Sequence, residues 1–247
     1  MPPGKNLADQ ENKVGPMKKI FILHGWTRST EKWQQFIRLA KKAGLNPILL
    51  RIPGLTKKTN KTWTLSDYVE WLRKILDQEN KKAIVVGHSN GGRIAIAFAA
   101  KYPKKLEQLV LINSAGIHHN EFPIRLKRLI FRAIAKIGKK TTSSEKLRSL
   151  LYKAARETDY KNATARMKKT MASLISVDLT FQLSKITTPT LIIWGKLDKI
   201  TPLSDGKLMH RLMKNSKLCV IEETGHSPHH THAKKVSEKI LSGIGKS

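Results

Sequence analysis

The sequence predicts an α/β protein in which a doubly wound, mostly parallel sheet of about six strands is covered by helices on both faces. Two observations predict this class. Short, apolar, β-branched segments alternate with segments whose apolar residues recur at helical spacing. The alternation also continues on both sides of a central block that contains no strand-like segment. With 247 residues, the chain is long enough to bury the core of one large domain.

Six segments have the length and apolarity of buried strands. They lie at 19–23, 46–52, 82–86, 109–113, 189–194 and 217–221. Helices are predicted over 31–43, from Thr64 onward, and over 92–100, 204–213 and 233–241. Thr64 and Asp67 match a capping-box pattern, which predicts that the second of these helices begins at Thr64.

The alternation of strands and helices stops at Gly116 and resumes near 187. Three segments between these positions have amphipathic helical spacing, at 124–134, 147–154 and 167–175. We therefore predict a helical lid over 117–186, inserted after the strand near 109–113. The core is predicted over 19–116 and 187–247, and a polar tail over 1–18.

A strong positive charge is the unusual feature of the composition. The formal net charge is +29 at pH 7, which raises non-specific affinity for nucleic acid, anionic lipid and acidic proteins. The aromatic interleaving that single-strand binders use is missing from the basic segments. We therefore predict a solvated basic surface with no specific nucleic-acid partner; charge alone supports an acidic partner.

Several classes are excluded by simple patterns. No run of 18 apolar residues predicts a membrane span, and the N-terminal segment lacks the apolar core of a signal peptide. The single cysteine, Cys219, excludes an internal disulfide framework and is expected to be a small buried hydrophobe in its strand. These features favour a cytoplasmic protein.

The segment Gly87-His88-Ser89-Asn90-Gly91 lies between a predicted buried strand and a predicted helix. In this context the pattern G-x-S-x-G is typical of a nucleophile elbow. A serine at the tip of so sharp a turn has a strained backbone, and Gly87 and Gly91 leave room for it by lacking Cβ. The following helix directs its free N–H groups toward a developing oxyanion. Ser89 is therefore the candidate nucleophile, and Ser114, which lacks the glycine two positions earlier, is rejected.

A serine hydroxyl needs a base, and the base needs an anion that fixes its tautomer. Asp198 and His226 each follow a predicted strand, in the order that doubly wound hydrolytic sites use. The competing residues are the carboxylates Asp205, Glu222 and Glu223 and the histidines His229, His230 and His232. Three histidines without a supporting carboxylate or cysteine pattern are a weak zinc signature. We predict no metal site and expect these three histidines at the surface.

These motifs resemble those of the α/β-hydrolase superfamily. The elbow at 87–91, Trp194-Gly195-Lys196-Leu197-Asp198, Gly225-His226 and His24-Gly25 follow its order over about 19–243. The resemblance implies that Ser89 is the nucleophile, His226 the general base and Asp198 its orienting carboxylate.

The same resemblance assigns supporting roles. It implies an oxyanion hole formed by the backbone N–H groups of Trp26 and Asn90. It also implies that His24, Gly25 and His88 shape the surrounding loops, together with Gly87 and Gly91. We predict no cofactor.

Two features depart from the superfamily pattern. Arg51 stands where many members carry an acidic residue. We therefore do not expect the usual substrate-side contacts at this position. Because only about 17 residues precede the first strand, we expect the superfamily's first antiparallel hairpin to be absent or reduced.

A serine at the elbow indicates acyl transfer, because relatives that attack sp³ carbon use an aspartate there. The predicted function is carboxylic ester hydrolysis of a small-molecule substrate through an acyl-enzyme. Three alternatives remain open. They are C–C bond hydrolysis of vinylogous diketones, an esterase acting on acyl groups of an acidic carrier protein, and a non-enzymatic basic binding protein. The second of these alternatives would use the basic lid residues Arg125, Lys127, Arg128 and Arg132 for docking.

Overall fold

The computed structural model describes residues 18–118 and 163–244. Within these ranges six strands form one sheet, and every neighbouring pair is parallel. The strands are β1 Lys18–Leu23, β2 Leu45–Leu49, β3 Ala83–His88, β4 Leu106–Ile112, β5 Thr190–Gly195 and β6 Ser216–Ile221. Their order is β2-β1-β3-β4-β5-β6, so the winding reverses beside β1 and helices cover both faces. The predicted fold class is confirmed.

Eight α-helices lie within the described residues. They are α1 Gln34–Lys42, α2 Leu65–Leu76, α3 Asn90–Lys101, α4 Ala165–Ile175, α5 Thr180–Leu183, α6 Leu203–Leu212, α7 Pro228–Thr231 and α8 Ala233–Gly243. Each predicted helix of the core is present within a few residues of its expected bounds. The short helices α5 and α7 are the two α-helices here that the sequence pattern did not predict.

Two apolar layers enclose the sheet, because successive strand residues point to opposite faces. One layer contains Phe21 and Val85 and packs against residues of α2, α3, α5 and α6. The other contains Ile20 and Val86 and packs against residues of α1 and α8. Both layers leave the carboxyl ends of the strands at one edge of the sheet, which is where polar side chains collect.

Helix α2 begins with the predicted capping box. Thr64 Oγ1 accepts a hydrogen bond from the N–H of Asp67, and the carboxylate of Asp67 accepts one from the N–H of Thr64. Lys61 lies 2.8 Å from the same carboxylate and, by hydrogen bonding to it, lowers the pKa of Asp67 to about 2. The cap therefore stays charged at neutral pH.

Strand β2 ends at Leu49, three residues before the predicted end at 52. The chain turns sharply there, since the carbonyl of Ile52 accepts hydrogen bonds from the N–H groups of residues 55–57 at 3.1 Å. Gly54 adopts a φ of +79° within this turn, a conformation that favours glycine. The apolar run through Ile52 thus continues as a buried turn instead of a strand.

The predicted lid lies only partly inside the described residues. Its helices predicted over 124–134 and 147–154 fall outside them. The cations considered for docking an acidic carrier also fall outside, namely Arg125, Lys127, Arg128 and Arg132. The third predicted helix, over 167–175, is confirmed as α4. The division of the chain at 117 and 186 stays a prediction.

Cys219 corrects one expectation. It is half-buried instead of buried, because β6 is an edge strand with a neighbour on one side only. Its side chain nevertheless packs against the apolar layer beneath α8. Among the residues described, no helix is both long and apolar enough to cross a membrane.

Candidate active site

The candidate nucleophile occupies a strained turn between β3 and α3. Ser89 has φ 51° and ψ −118°, outside the regions that L-residues commonly adopt. Its carbonyl accepts a hydrogen bond from the N–H of Ala115 at 2.9 Å, and its own N–H donates to the carbonyl of Ile112 at 3.2 Å. The end of β4 therefore holds the strained residue on both of its backbone polar groups.

Close backbone packing explains the glycines on either side of Ser89. A Cβ on Gly91 would lie 2.1 Å from the carbonyl oxygen of Leu23, and a Cβ on Gly87 would lie 2.7 Å from the Cα of Gly92. Neither neighbour is a side chain that can move away. The steric argument made from the sequence for these two positions agrees with this geometry.

Gly92 is a third glycine with the same role, and the sequence reasoning missed it. A Cβ there would lie 2.1 Å from Ser114 Oγ and 2.7 Å from Ser114 Cβ. The signal was available as the consecutive pair Gly91-Gly92. Ser114 itself is fully buried and donates its hydroxyl to the carbonyl of Ala115 at 2.8 Å. Its hydroxyl proton is thus not part of the hydrogen-bond chain that Ser89 forms with His226 and Asp198.

Three predicted site residues meet in one hydrogen-bond chain. His226 Nε2 lies 2.9 Å from Ser89 Oγ, and His226 Nδ1 lies 2.8 Å from Asp198 Oδ2. An ionised carboxylate only accepts, so Nδ1 carries the proton and Nε2 of the neutral ring accepts the serine hydroxyl. The side chain of Asp198 is 0% exposed and that of His226 is 17% exposed.

Hydrogen bonds keep the buried Asp198 ionised. Burial alone raises its pKa, but hydrogen bonds and charge interaction with His226, together with hydrogen bonds from Asn113 and Thr201, outweigh burial and lower the pKa overall. Its Oδ1 accepts the N–H groups of residues 200 and 201 at 2.8 Å and 3.1 Å. The carboxylate therefore carries its charge beside the imidazole at neutral pH.

Asn113 and Thr201 were not identified as site residues from the sequence. Asn113 Nδ2 donates to Asp198 Oδ2 at 2.5 Å, and Asn113 Oδ1 accepts the N–H of Gly195 at 3.1 Å. Thr201 donates its hydroxyl to Asp198 Oδ2 at 2.7 Å. Asn113 offered one signal, since it directly follows β4 and its φ of 41° is more common for asparagine than for other side chains.

The histidine cluster corrects another expectation, because His229 is buried and not at the surface. It is 2% exposed, and its ring stacks on Trp33 with centroids 4.0 Å apart. Burial lowers the pKa of His229 to about 3, so the ring is neutral at pH 7. His230 is exposed and His232 is partly exposed. In the described part of the chain, no three His, Cys, Asp or Glu residues are placed to hold a metal ion.

His88 connects this buried ring to the proposed base. Its Nε2–H donates to the carbonyl of His226 at 2.7 Å, and its ring centroid lies 4.3 Å from that of His229. Burial lowers the pKa of His88 well below its ordinary value, which keeps the ring a neutral donor. The residue before the serine thus positions the backbone of His226.

The loop after β1 passes directly over the serine. A Cβ on Gly25 would lie 3.1 Å from Ser89 Cβ and 3.0 Å from His88 Nδ1. His24 is buried, donates Nδ1–H to the carbonyl of Gly25 at 2.8 Å, and accepts the hydroxyl of Thr56 at Nε2 at 2.8 Å. Burial lowers the pKa of His24. A neutral ring with both nitrogens paired fits the loop-shaping role expected for it.

The two predicted oxyanion donors belong to segments next to Ser89. Asn90 follows Ser89 in the chain, and Trp26 follows Gly25 in the loop that passes over the serine. Asn90 is the first residue of α3, so its N–H has no acceptor within the helix and lies at the positive end of the helix dipole. Trp26 follows Gly25 and packs on the apolar layer. Within the described ranges, no backbone acceptor is found for the N–H of either residue.

The competing carboxylates and Arg51 have other environments. Glu222 is exposed and pairs with Lys196 at 2.5 Å, and Glu223 is exposed. Asp205 is buried within the first turn of α6. Arg51 is exposed and donates to the carbonyl of Thr56 from Nε and Nη2, at 3.3 Å and 3.2 Å. The absence of the usual substrate-side contacts at Arg51 stays a prediction.

Comparisons with known proteins place this chain in a family. A family model described as "Serine aminopeptidase, S33" matches residues 15–232. Human monoacylglycerol lipase ABHD6 is 25% identical over an alignment of 256 positions, gaps included, that covers 93% of this chain and 76% of the lipase. A 2-hydroxy-6-oxononadienedioate/2-hydroxy-6-oxononatrienedioate hydrolase of Paraburkholderia phymatum is 27% identical and covers 98% of this chain and 92% of that enzyme.

A solved structure has the same fold. It is MGS-MChE2, an α/β hydrolase enzyme from the metagenome of sediments of the lagoon of Mar Chica, Morocco. It superposes with a TM-score of 0.68 at 21% identity and covers 92% of this chain and 90% of its own. The similarity extends over nearly all of both chains.

Proposed function

Because the chain belongs to the serine aminopeptidase S33 family of α/β hydrolases, we propose that it cleaves carboxylic esters of small molecules through an acyl-enzyme. The family and its named relatives establish a hydrolase. The ester as the bond cleaved, and the residues that cleave it, are the content of the proposal.

The observation that carries it is the continuous hydrogen-bond chain from Ser89 through His226 to Asp198, with distances of 2.9 Å and 2.8 Å. Such a chain gives a hydroxyl a base within reach and gives the base a fixed tautomer. The strain at Ser89 presents its Oγ at the start of a helix, where negative charge is stabilised.

The proposed reaction has two halves. Ser89 Oγ attacks the ester carbonyl carbon while His226 Nε2 takes the hydroxyl proton, and the backbone N–H groups of Trp26 and Asn90 bind the oxyanion. His226 then gives the proton to the leaving alcohol, which departs and leaves an acyl-serine. Water then attacks the acyl carbon while His226 takes its proton; the bond from that carbon to Ser89 Oγ breaks, His226 returns the proton to Oγ, and the acid leaves. No cofactor enters either half.

The segment 117–186 is proposed as a lid over this site. Its two ends lie together, since the N–H of Leu179 donates to the carbonyl of Gly116 at 3.0 Å. Arg93 on α3 is buried and donates to the carbonyl of Val177 at 2.5 Å. An insertion whose ends meet on the core can vary in sequence without disturbing the sheet, which is what substrate selection by a lid requires.

We place the enzyme in the cytoplasm as part of the same proposal. One cysteine in 247 residues suits a reducing compartment. The substrate of the enzyme is proposed to be a small-molecule ester, as the name of the monoacylglycerol lipase relative suggests.

The proposal is tested with p-nitrophenyl acetate and butyrate. Replacing Ser89→Ala removes the nucleophile, so kcat/KM for p-nitrophenol release should fall by about 10⁴-fold or more. Ser114→Ala is the matched control, because Ser114 is a nearby buried serine outside the hydrogen-bond chain; its rate should stay within a fewfold of wild type. Equal rates for wild type and Ser89→Ala would reject the serine mechanism.

A second candidate is hydrolysis of a C–C bond in a vinylogous diketone. The observation that favours it is the 27% identity to the Paraburkholderia hydrolase, over 98% of this chain. The same three residues would serve, so Ser89→Ala does not separate the two reactions. Comparing kcat/KM for 2-hydroxy-6-oxo-dienoates and for p-nitrophenyl esters does, and the ester should be preferred by at least about tenfold.

A further inference from the structure

A cationic groove lies between the loop that follows β2 and the first turns of α4. It has a volume of about 330 Å³, which falls within the range of small-molecule sites. Its charged lining residues are Arg28, Lys57, Lys58, Lys61 and Arg166. No carboxylate among the described residues lines it.

Most of this charge is not neutralised within the described part of the chain. Lys61 pairs with Asp67, but no carboxylate there pairs with Arg28, Lys57 or Lys58. Arg166 uses one N–H to donate to the carbonyl of Thr59 at 3.2 Å, and a guanidinium has five. Clustered like charges repel one another, and a bound anion removes that cost.

The walls of the groove are fixed by hydrogen bonds. The N–H of Trp63 donates to Thr170 Oγ1 on α4 at 3.0 Å, and the indole N–H of Trp63 donates to Thr59 Oγ1 at 3.1 Å. On the opposite side, Lys57 closes the turn built on Ile52, and its carbonyl accepts the N–H of Gly54 at 2.7 Å. The cations therefore project from an ordered frame, which lowers the entropy lost on binding.

The groove is connected to the loop that passes over Ser89. Lys57 directly follows Thr56, whose hydroxyl donates to His24 at 2.8 Å, and Arg28 is two residues beyond Trp26. Arg28 therefore belongs to the loop that passes over Ser89, and the wall that carries Lys57 is hydrogen-bonded to that loop through Thr56 and His24. A ligand held there lies beside that loop and does not need the ester chemistry to bind.

We propose that this groove binds the phosphate group of a small phosphate ester. A phosphate monoester carries about −1.5 to −2 charges at pH 7 and three strong acceptor oxygens. The several ammonium and guanidinium groups that line the groove match that charge and number of acceptors. A ligand with a single carboxylate group would leave most of these cations without a partner. The phosphate belongs either to a free phosphate ester or to a lipid headgroup.

The test is calorimetric titration of the whole protein with glycerol 3-phosphate at physiological salt. The variant Lys57→Glu/Lys58→Glu should weaken binding by about tenfold or more, because it removes two charge-assisted contacts. The matched control is Lys234→Glu/Lys235→Glu, which makes the same charge change at exposed positions on α8, across the sheet from α2. It should change the affinity by less than about twofold. Glycerol, the neutral analogue, should not bind.

A second arm identifies the source of the phosphate. Sedimentation with phosphatidylcholine vesicles, with and without phosphatidic acid, detects a lipid headgroup. Binding to phosphatidic acid vesicles alone, lost in the Lys57→Glu/Lys58→Glu variant and kept in the control, supports the groove with a lipid as its ligand. Binding of glycerol 3-phosphate with the same pattern supports a free phosphate ester. Failure to bind either, or equal loss in both variants, overturns the proposal and indicates only the non-specific effect of the net charge.

Discussion

Ser89 and Asp198 lie at the same edge of the sheet, yet different forces hold them. Ser89 is positioned by steric fit, since the Cβ positions of Gly87 and Gly91 fall within 2.7 Å and 2.1 Å of backbone atoms. Asp198 is positioned by hydrogen bonds, which its buried carboxylate accepts from Asn113, Thr201 and His226. Steric fit allows only glycine at positions 87 and 91. In the hydrogen-bond network, by contrast, several side chains together hold Asp198 in place.

The division between the two regions has one exception. Gly195, at the end of β5, is as crowded as the elbow glycines, because a Cβ there would lie 2.3 Å from the carbonyl oxygen of Gly225. The loop bearing the histidine therefore packs directly on the strand that leads to the aspartate. Steric fit sets the distance between these two loops, and hydrogen bonds set the orientation of the side chains.

The largest effect is expected at the charged centre of the network. Asp198→Asn keeps the shape but offers His226 an amide, so the imidazole loses the carboxylate that fixes its tautomer. Values of kcat/KM for p-nitrophenyl butyrate should fall by about 10⁴-fold. Glu222→Gln, an exposed carboxylate paired with Lys196, is the control and should stay within about twofold. A loss below tenfold at Asp198 would remove that residue from the mechanism.

A substitution of an elbow glycine is expected to reduce the stability of the fold, and not to act first on the catalytic step. Gly91→Ala places a Cβ 2.1 Å from the carbonyl oxygen of Leu23, and backbone on both sides has nowhere to move. The free energy of unfolding should drop by about 3 kcal/mol or more, which lowers Tm by roughly 6 °C or more.

Gly225→Ala is the matched control, made beside His226. The nearest atom to its Cβ is the carbonyl oxygen of Leu197 at 3.7 Å, an ordinary contact. Its Tm should change by less than about 3 °C. Similar losses at Gly91 and Gly225 would show that steric fit does not distinguish the two regions.

His229 connects the two regions and should make stability depend on pH. Its pKa of about 3 in the folded protein lies below the ordinary value of about 6.5, so the unfolded chain binds more protons between these values. Stability therefore falls as the pH decreases from about 6.5 toward 3. Lowering the pH from 7 to 4.5 should cost about 2 kcal/mol at this residue.

His229→Phe tests that dependence while keeping an aromatic ring on Trp33. Urea unfolding at pH 7 and pH 4.5 should show a smaller acid-induced loss for the variant than for wild type. Part of the loss should remain, because burial lowers the pKa of His24 and His88 in the same direction. Identical losses in both proteins would mean that His229 becomes protonated without cost in the folded state.

The smallest effect is expected for one accessory hydrogen bond. Thr201→Val removes the hydroxyl that donates to Asp198 Oδ2 at 2.7 Å, while the other donors remain. Values of kcat/KM should fall by about tenfold. Thr188→Val is the control, since Thr188 is buried and its hydroxyl has no hydrogen-bond partner among the described residues. If each hydrogen bond of the network contributes to activity, kcat/KM should be lower for Thr201→Val than for Thr188→Val. Equal values for the two variants would contradict this.

The contrast also explains which features the sequence could predict. The strands, the core helices and the elbow depend on local patterns, and the glycine spacing around Ser89 is itself the steric requirement. Asn113 supports Asp198 from 85 residues away, and no spacing rule connects them. His229 was expected at the surface because its burial depends on Trp33, which lies on a different element. Tertiary contacts between distant segments leave no local pattern.

The account depends on Ser89 being made nucleophilic by His226. A fluorophosphonate probe, followed by peptide mass spectrometry, measures this directly and needs no knowledge of the substrate. The wild-type protein should be labelled at Ser89, His226→Ala should be labelled at that residue at least about 100-fold more slowly, and Ser89→Ala should not be labelled. Labelling of another residue, or equal labelling rates for wild type and His226→Ala, would contradict the account.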